Sequence, residues 1–259
     1  NKLKEKYKDR FEFCQSSYDQ IESYIKSHKV VGVVYDLGVS SMQLDDKSRG
    51  FSFDKDERLD MRMDTDQKLS AYNVVNDYEE EALADVIYHY GDERKSRAIA
   101  RKIVWHRDNE GPIETTKQLA DIVAQVLRKY YKGHSKTNPA TRTFQAIRIE
   151  VNDELNQLKQ SLAQAAKVLE PGGRMVCVTF HSGEDRIVKQ FFNKLTGAAT
   201  PDDMEFDPLS QKYVQKKQAP SQFKKLTKKV VKPSDDEVSS NPRARSAKLR
   251  SIEKLGGVK

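Results

Sequence analysis

Two side chains stand where strand-like runs end. Asp36 closes the run Val30-Val31-Gly32-Val33-Val34-Tyr35, and His181 follows the run Arg174 to Phe180. Both runs read as buried strands. The first is apolar on both faces, as in the middle of a parallel sheet. A carboxylate just past such a strand lies where open α/β sheets bind ligands. Asp36 therefore reads either as a ligand-binding group or as a cap on its own turn. His181 reads either as a site residue at the edge of its strand or as a turn histidine bonded to Glu184 or Asp185.

A second set of residues is basic: Arg97, Arg101 and Lys102, then Arg142 and Arg148, then Lys224 and Lys225 within a lysine run to Lys229. Each reads as a phosphate contact or as part of a solvated face. The balance of 46 Lys and Arg against 39 Asp and Glu, a net charge of +7, favours an anionic partner. Nucleic acid is the commonest such partner. The two cysteines and five histidines show no zinc spacing, so no metal is expected. Cys14 and Cys177 both lie in apolar, strand-like runs and are expected as buried, reduced thiols. No run is long enough for a membrane span, and the first ten residues hold no apolar core of a signal peptide.

The elements that must position these residues follow from periodicity. The 259 residues suffice for one large domain or for a domain with an insertion. Phe11, Phe13 and Cys14 suggest a short strand, and Tyr18 to His28 a helix. Residues 40–70 look irregular. Residues 70–135 read as helices, with Ser70 and Thr115 or Thr116 as caps and Gly91 as a helix stop. From Thr141, Phe144, Ile147, Val151, Leu155, Leu158, Leu162, Ala165 and Leu169 keep one helical period, which Pro171-Gly172-Gly173 ends. Residues 196–222 read as a flexible loop, Leu226 to Val231 as a weak strand, Asp235 to Asn241 as a turn and Ser246 to Glu253 as a last strand. A helical block between two buried strands reads as an insertion in an α/β sheet. The expected fold class is therefore α/β. The expected domains are 1–46, an inserted helical domain at 47–150, and 151–259.

Longer motifs carry a family resemblance. Asp36-Leu-Gly-Val-Ser-Ser-Met-Gln-Leu-Asp45 runs into Arg49-Gly-Phe-Ser-Phe53 and Leu59-Asp-Met-Arg-Met-Asp64. Asn138-Pro-Ala-Thr-Arg-Thr-Phe-Gln-Ala-Ile-Arg-Ile149 leads into Val151-Asn-Asp-Glu-Leu155. Phe180-His-Ser-Gly-Glu-Asp-Arg-Ile-Val-Lys189 is echoed by Asn241-Pro-Arg-Ala-Arg-Ser246. Together they resemble the RsmH/MraW family, and Leu169-Glu-Pro-Gly-Gly-Arg-Met-Val resembles the turn before the fifth strand of S-adenosylmethionine methyltransferases. The resemblance implies a Rossmann-like methyltransferase sheet with an inserted all-helical domain for substrate recognition. It implies transfer of a methyl group from S-adenosylmethionine to N4 of a decoding-centre cytidine in small-subunit (16S) rRNA. It places the donor against Tyr18, Asp36 and Gln43, and makes Arg142 and Arg148 RNA contacts within a family motif. The mechanism it suggests needs an acceptor near N4, either Asp36 or a neighbouring backbone carbonyl, and in its functional reading His181 faces the cytosine; Asp36 and His181 are the catalytic candidates.

The chain departs from the family at Met42, Glu57-Arg58, Asn138 and Gly183, where Pro, Gly-Pro, His and Leu are usual. Gly183 is expected to loosen the turn beside His181. The family's opening strand and its Asp-Gly-Thr-x-Gly-x-Gly-Gly-His loop are absent from this sequence, which implies an N-terminally truncated version. A non-catalytic RNA-binding fragment without a complete donor site is the alternative. The resemblance further implies rRNA of the small ribosomal subunit as partner, no membrane, and a cytoplasmic or mitochondrial-matrix location. It leaves a homodimer open.

Overall fold

A computed structural model describes residues 2–25, 29–40, 49–52, 56–131, 138–198, 204–207, 212–215 and 221–256. The chain divides into two compact units. One combines Asn1–Gly38 with Leu155–Lys259, and the other is Val39–Glu154.

The first unit is α/β. After α1 (Lys2–Tyr7) and α2 (Ile21–Ile25), β1 (Val30–Asp36) pairs in parallel with β2 (Leu169–Thr179). The sheet continues antiparallel through β6 (Lys248–Lys254) to β5 (Phe223–Lys225), in the order β1-β2-β6-β5 among the described residues. Helix α8 (Glu154–Val168) leads into β2, and α9 (Ser182–Leu195) leaves it. Leu158, Leu162 and Ala165 of α8 and Val188 and Phe192 of α9 pack with Val33, Tyr35, Met175, Cys177 and Ile252 of the sheet. Lys254 of β6 closes the end of α8, its ammonium donating to the carbonyls of Ala166, Lys167 and Leu169.

The Pro-Gly-Gly turn is built into the strand. Pairing runs Val30↔Leu169 and resumes at Gly32↔Arg174, so residues 170–173 bulge out of β2. Gly172 has φ +81°, and a Cβ on Gly173 would lie 2.5 Å from Leu169 Cδ2 and 2.8 Å from the Glu170 carbonyl. Glycine is required at both positions.

The second unit is helical. It contains α3 (Ala71–Asp77), α4 (Glu80–Gly91), α5 (Ser96–Asn109), α6 (Thr116–Arg128) and α7 (Thr141–Asn152). Ser70 and Thr115 cap α3 and α6 with reciprocal capping boxes to Asn73 and Gln118. Leu83, Ile87, Ile99, Ile103, Leu119 and Ile147 are fully enclosed in its core.

Several expectations are corrected. The helix from Thr141 is two helices, because Asp153 takes a left-handed conformation (φ +48°). Beside it Asn152 turns its amide to the loop before α3, accepting from the Met63 N–H and donating to the Met61 carbonyl. The apolar period resumes after one residue, which is why the sequence reads as continuous. β1 is an edge strand among the described residues. Alternation buries Val33 and Tyr35 and turns Val34 outward, and Val31, opposite the bulge in β2, is exposed too; both valines are about three-quarters exposed. Gly91 is the last residue of α4, and the left-handed cap is Asp92. Residues 11–16 form no strand, and Cys14 is exposed. Cys177 is buried, and burial pushes its thiol well up.

Within 196–222, β3 (Met204–Asp207) and β4 (Lys212–Gln215) form an antiparallel pair. Such a ribbon stands on backbone hydrogen bonds that composition does not encode. Asp235 to Asn241 holds a helix, α10 (Asp235–Ser240), capped by the Ser234 hydroxyl on the Glu237 N–H. Leu226 to Val231 forms no continuous strand: the Leu226 N–H donates to the Ser251 carbonyl of β6, the Thr227 hydroxyl accepts from the Ser251 N–H, and Val231 bridges Leu249. No helix among the described residues is long and apolar enough to cross a membrane.

Candidate active site and nucleic-acid surface

Strand register brings the two chemistry-bearing positions to one edge. Asp36 ends β1 opposite Val178 of β2, and the Leu37 N–H donates to the Val178 carbonyl at 3.2 Å. His181 follows three residues after Val178. Both therefore lie at the carboxyl ends of the two parallel strands, where α/β sheets bind ligands. Asp36 is exposed.

Tyr18 reaches the same strand from outside. Its ring meets Tyr35 edge-on at 6.3 Å, one residue before Asp36, and stays 37 % exposed. Two glutamines of α8 hold the segment around it. Gln157 accepts from the Ser17 hydroxyl, and Gln164 accepts from the Glu22 N–H while donating to the Asp19 carbonyl. Beneath it the Tyr35 hydroxyl shares a 2.8 Å hydrogen bond with Ser161, and burial pushes that phenol up to about 12. Gln43 lies outside the described residues.

His181 is the N-cap of α9. Its Nδ1 accepts from the Glu184 N–H at 3.4 Å. The buried Glu184 carboxylate returns the bond by accepting from the N–H groups of Phe180 and His181, at 2.8 and 3.3 Å. His181 Nε2 lies 3.2 Å from Glu184 Oε1 but makes no hydrogen bond among the described residues. Of the two readings of His181, the contact with Glu184 is formed. The sequence offers Glu184 and Asp185 alike as partners of His181; what it does not single out is the reciprocal cap, although the spacing of His181 and Glu184 matches a capping box. Gly183 sits close under the imidazole, a Cβ there lying 3.1 Å from Cε1 and Nδ1. The ring is packed at this turn.

The next residue ties the helix to the sheet. Asp185 accepts from Arg250 at 2.7 and 3.2 Å and from Lys248 at 3.5 Å. Burial works to raise this carboxyl, but the bonds and charges of Arg250 and Lys248 outweigh it and hold it below the ordinary range.

In the helical unit, Arg97 pairs with Asp85 at 2.9 Å and Arg101 with Glu80 at 3.5 Å, both largely exposed. Arg142 donates to the Asp92 carbonyl and lies 3.8 Å from Glu93. In the first unit Lys224 pairs with Glu253 at 2.7 Å, and Lys225 donates to the Asn193 side chain. The pairs of Arg97 and Arg101 are exposed on both sides and hold their charges weakly, so phosphate can compete for them. Arg142 and Lys224 are themselves more than half exposed, although the carboxylates they face are not. Arg148 differs. Its guanidinium is 18 % exposed and grips Glu154 through two bonds of 2.7 and 2.9 Å. That cation is committed to the interior.

The MraW methylase family model matches residues 1–255. Three curated proteins named Ribosomal RNA small subunit methyltransferase H are similar to this chain. The one from Methylobacterium nodulans is 48 % identical over 248 residues, 95 % of this chain and 70 % of that protein. The one from Methylorubrum populi is 51 % identical over 225 residues, 87 % of this chain and 61 % of that protein. The one from Acidiphilium cryptum is 46 % identical over 257 residues, 98 % of this chain and 79 % of that protein. The chain thus spans roughly two thirds of the length of these relatives. With that match, the mixed sheet and its flanking helices are those of a Rossmann-like methyltransferase fold.

Proposed function

Because this chain belongs to the MraW methylase family, we propose that it serves methyl transfer from S-adenosylmethionine to N4 of a decoding-centre cytidine in small-subunit rRNA. The observation that carries the reading is the meeting of Asp36 and the His181 turn at the carboxyl edge of the parallel pair β1 and β2. The names of the relatives supply the substrate class.

The residues present suit a methyl donor on two counts. The Tyr18 ring, edge-on to Tyr35, and Asp36 at the end of the same strand are both exposed, so a ligand can reach an aromatic ring and an acceptor. Gln43 is the third donor contact in this reading. When bound, the donor supplies an electrophilic sulfonium methyl group. The cytosine N4 lone pair is delocalised into the ring and is a poor nucleophile. The protein's task is then alignment and exclusion of water more than activation.

Asp36 accepts a hydrogen bond from the N4 amine, which draws density onto the nitrogen, and takes the proton late in the step. His181 flanks the base from a turn that Glu184 holds rigid. The target base leaves its stack to reach this edge. The helical unit is the substrate-recognition domain, with Arg97, Arg101 and Arg142 on phosphates, and Lys224 and Lys225 add contacts from the other unit. The reading puts the protein in the cytoplasm, with the ribosomal subunit.

The test uses labelled S-adenosylmethionine and unmodified small ribosomal subunits, followed by digestion and a search for N4-methylcytidine. Label in that nucleoside is expected, with Asp36→Ala about a hundredfold slower at saturating donor and RNA. An Asp36→Ala protein with full turnover removes the role of Asp36. RNA binding with neither donor binding nor label moves the weight to a non-catalytic RNA-binding protein.

A further inference from the structure

Aromatic and cationic side chains gather around one buried carboxylate in the helical unit. The turn between α4 and α5, the end of α6 and the start of α7 meet at Glu93, which is 2 % exposed. Its Oε1 accepts from the Lys95 N–H at 2.9 Å and from the Tyr131 hydroxyl at 3.1 Å, and its Oε2 lies 3.8 Å from Arg142. Tyr130 and Tyr131 both donate their N–H groups to the Leu127 carbonyl, at 3.0 and 2.9 Å. The Lys95 ammonium lies 4.4 Å from the centre of the Tyr130 ring. Arg94 and Arg142 both act electrostatically on the Tyr131 phenol.

The scaffold is buried, but what it presents is not. The two rings are 49 % and 48 % exposed, and the Arg142 side chain is 58 % exposed. A satisfied buried network rigidifies what it holds. Here it orders two adjacent aromatic rings that contribute no core packing on their open sides. Around them Arg94, Lys95, Lys129 and Arg142 outnumber Asp92 and Glu93. Ordered aromatic faces beside excess positive charge are what unpaired nucleic acid needs. Bases stack on the rings, and the backbone meets the cations. An A-form duplex keeps its base faces covered and gains nothing from the rings.

We propose that Tyr130 and Tyr131, with Lys95 and Arg142, form a stacking platform for an unpaired stretch of RNA, nucleobase on tyrosine and phosphate on the two cations. The platform rests on the rRNA reading for the source of that RNA, but its recognition needs no donor and no particular sequence.

The test is fluorescence anisotropy with a short labelled oligouridylate, a hairpin duplex of equal length and a labelled polyglutamate peptide. The full chain is expected to bind the single strand in preference to both others. Tyr130→Ala weakens that binding about tenfold, the scale of one stacked base. Tyr130→Phe keeps it. Tyr130→Leu, which retains bulk without an aromatic face, matches Tyr130→Ala and guards against misfolding in the smaller variant. Arg142→Gln lowers the slope of log affinity against log salt by about 0.7. The proposal is overturned by no binding of the single strand, by equal or tighter binding of duplex or polyglutamate, or by Tyr130→Ala and Tyr130→Leu binding as wild type. Tyr130-dependent binding in a protein that transfers no methyl group sinks only the methyltransferase reading. Methyl transfer without that dependence sinks only the platform.

Discussion

His181 and Glu184 cap one another across the first turn of α9. The imidazole Nδ1 takes the Glu184 N–H, while the Glu184 carboxylate takes the N–H groups of His181 and Phe180. Two side chains thus close the turn between β2 and the helix that follows, beside the backbone bond from the Asp185 N–H to the His181 carbonyl. The histidine of the candidate site is also a structural part, so its two roles need variants that separate them.

His181→Ala removes an N-cap acceptor and is expected to cost about 1 kcal/mol in urea unfolding. His181→Asn retains a cap acceptor and is expected to unfold within a few tenths of wild type. The two roles then part. Methyl transfer by His181→Asn at the wild-type rate makes His181 a cap only. Normal stability with lost turnover makes it a site residue.

Acid sensitivity follows from the ties of Asp185 to Arg250 and Lys248. The folded carboxyl is held below its ordinary value, so the folded state binds this proton less readily than the unfolded chain. The contribution is complete above the unfolded carboxylate value of about 4. It is lost as pH falls through the lower folded value. Asp60 behaves alike, burial raising its carboxyl and the bonds and charge of Arg62, with the charge of Arg49, outweighing that effect. Asp185→Asn is therefore expected to flatten the acid limb of a stability profile measured from pH 6 downward. An unchanged acid limb rejects this assignment.

Much of this was legible from the chain, and the misses have physical causes. The helices of the second unit follow from apolar spacing, and the caps at Ser70 and Thr115 follow from residue type. β1 was legible as a strand, but not as one with Val31 and Val34 exposed. Two β-branched faces in sequence do not say what covers them. The break at Asp153 left no mark because the apolar period spans it. The positions of Asp36 and His181 at strand ends were legible. The hold of Glu184 on the turn depends on burial, which spacing alone does not reveal. Arg148 and Arg142 look alike in one motif, yet Glu154 takes the first inward and the second stays exposed.

Gly91 marks a close approach between helices within the second unit. A Cβ there would lie 2.6 Å from the Arg142 carbonyl and 3.3 Å from Ala146 Cβ, so α4 and α7 approach nearly backbone to backbone at this point. In an open helix, alanine would be favoured over glycine by about 1 kcal/mol. Here the clash is with backbone, which cannot rotate away. Gly91→Ala is expected to destabilise by about 1–3 kcal/mol as an overpacked site. Calorimetry showing a raised melting temperature would mean that the helices have room to part.

Arg148 tests the difference between a basic residue in a motif and one that meets RNA. Its guanidinium and the Glu154 carboxylate are both largely out of water and joined by two hydrogen bonds. Removing one partner takes this two-bond pairing from a charge that is largely out of water. Arg148→Ala is therefore expected to lose about 3 kcal/mol of stability. The paired change Arg148→Met with Glu154→Gln removes both charges and is expected to recover most of that loss. RNA affinity should divide the two arginines the other way. Arg142→Gln lowers the salt slope, because an exposed cation no longer displaces a counterion. The double variant at 148 and 154 keeps the wild-type slope. A fall in slope for that double variant would mean that Arg148 leaves Glu154 for a phosphate when RNA binds.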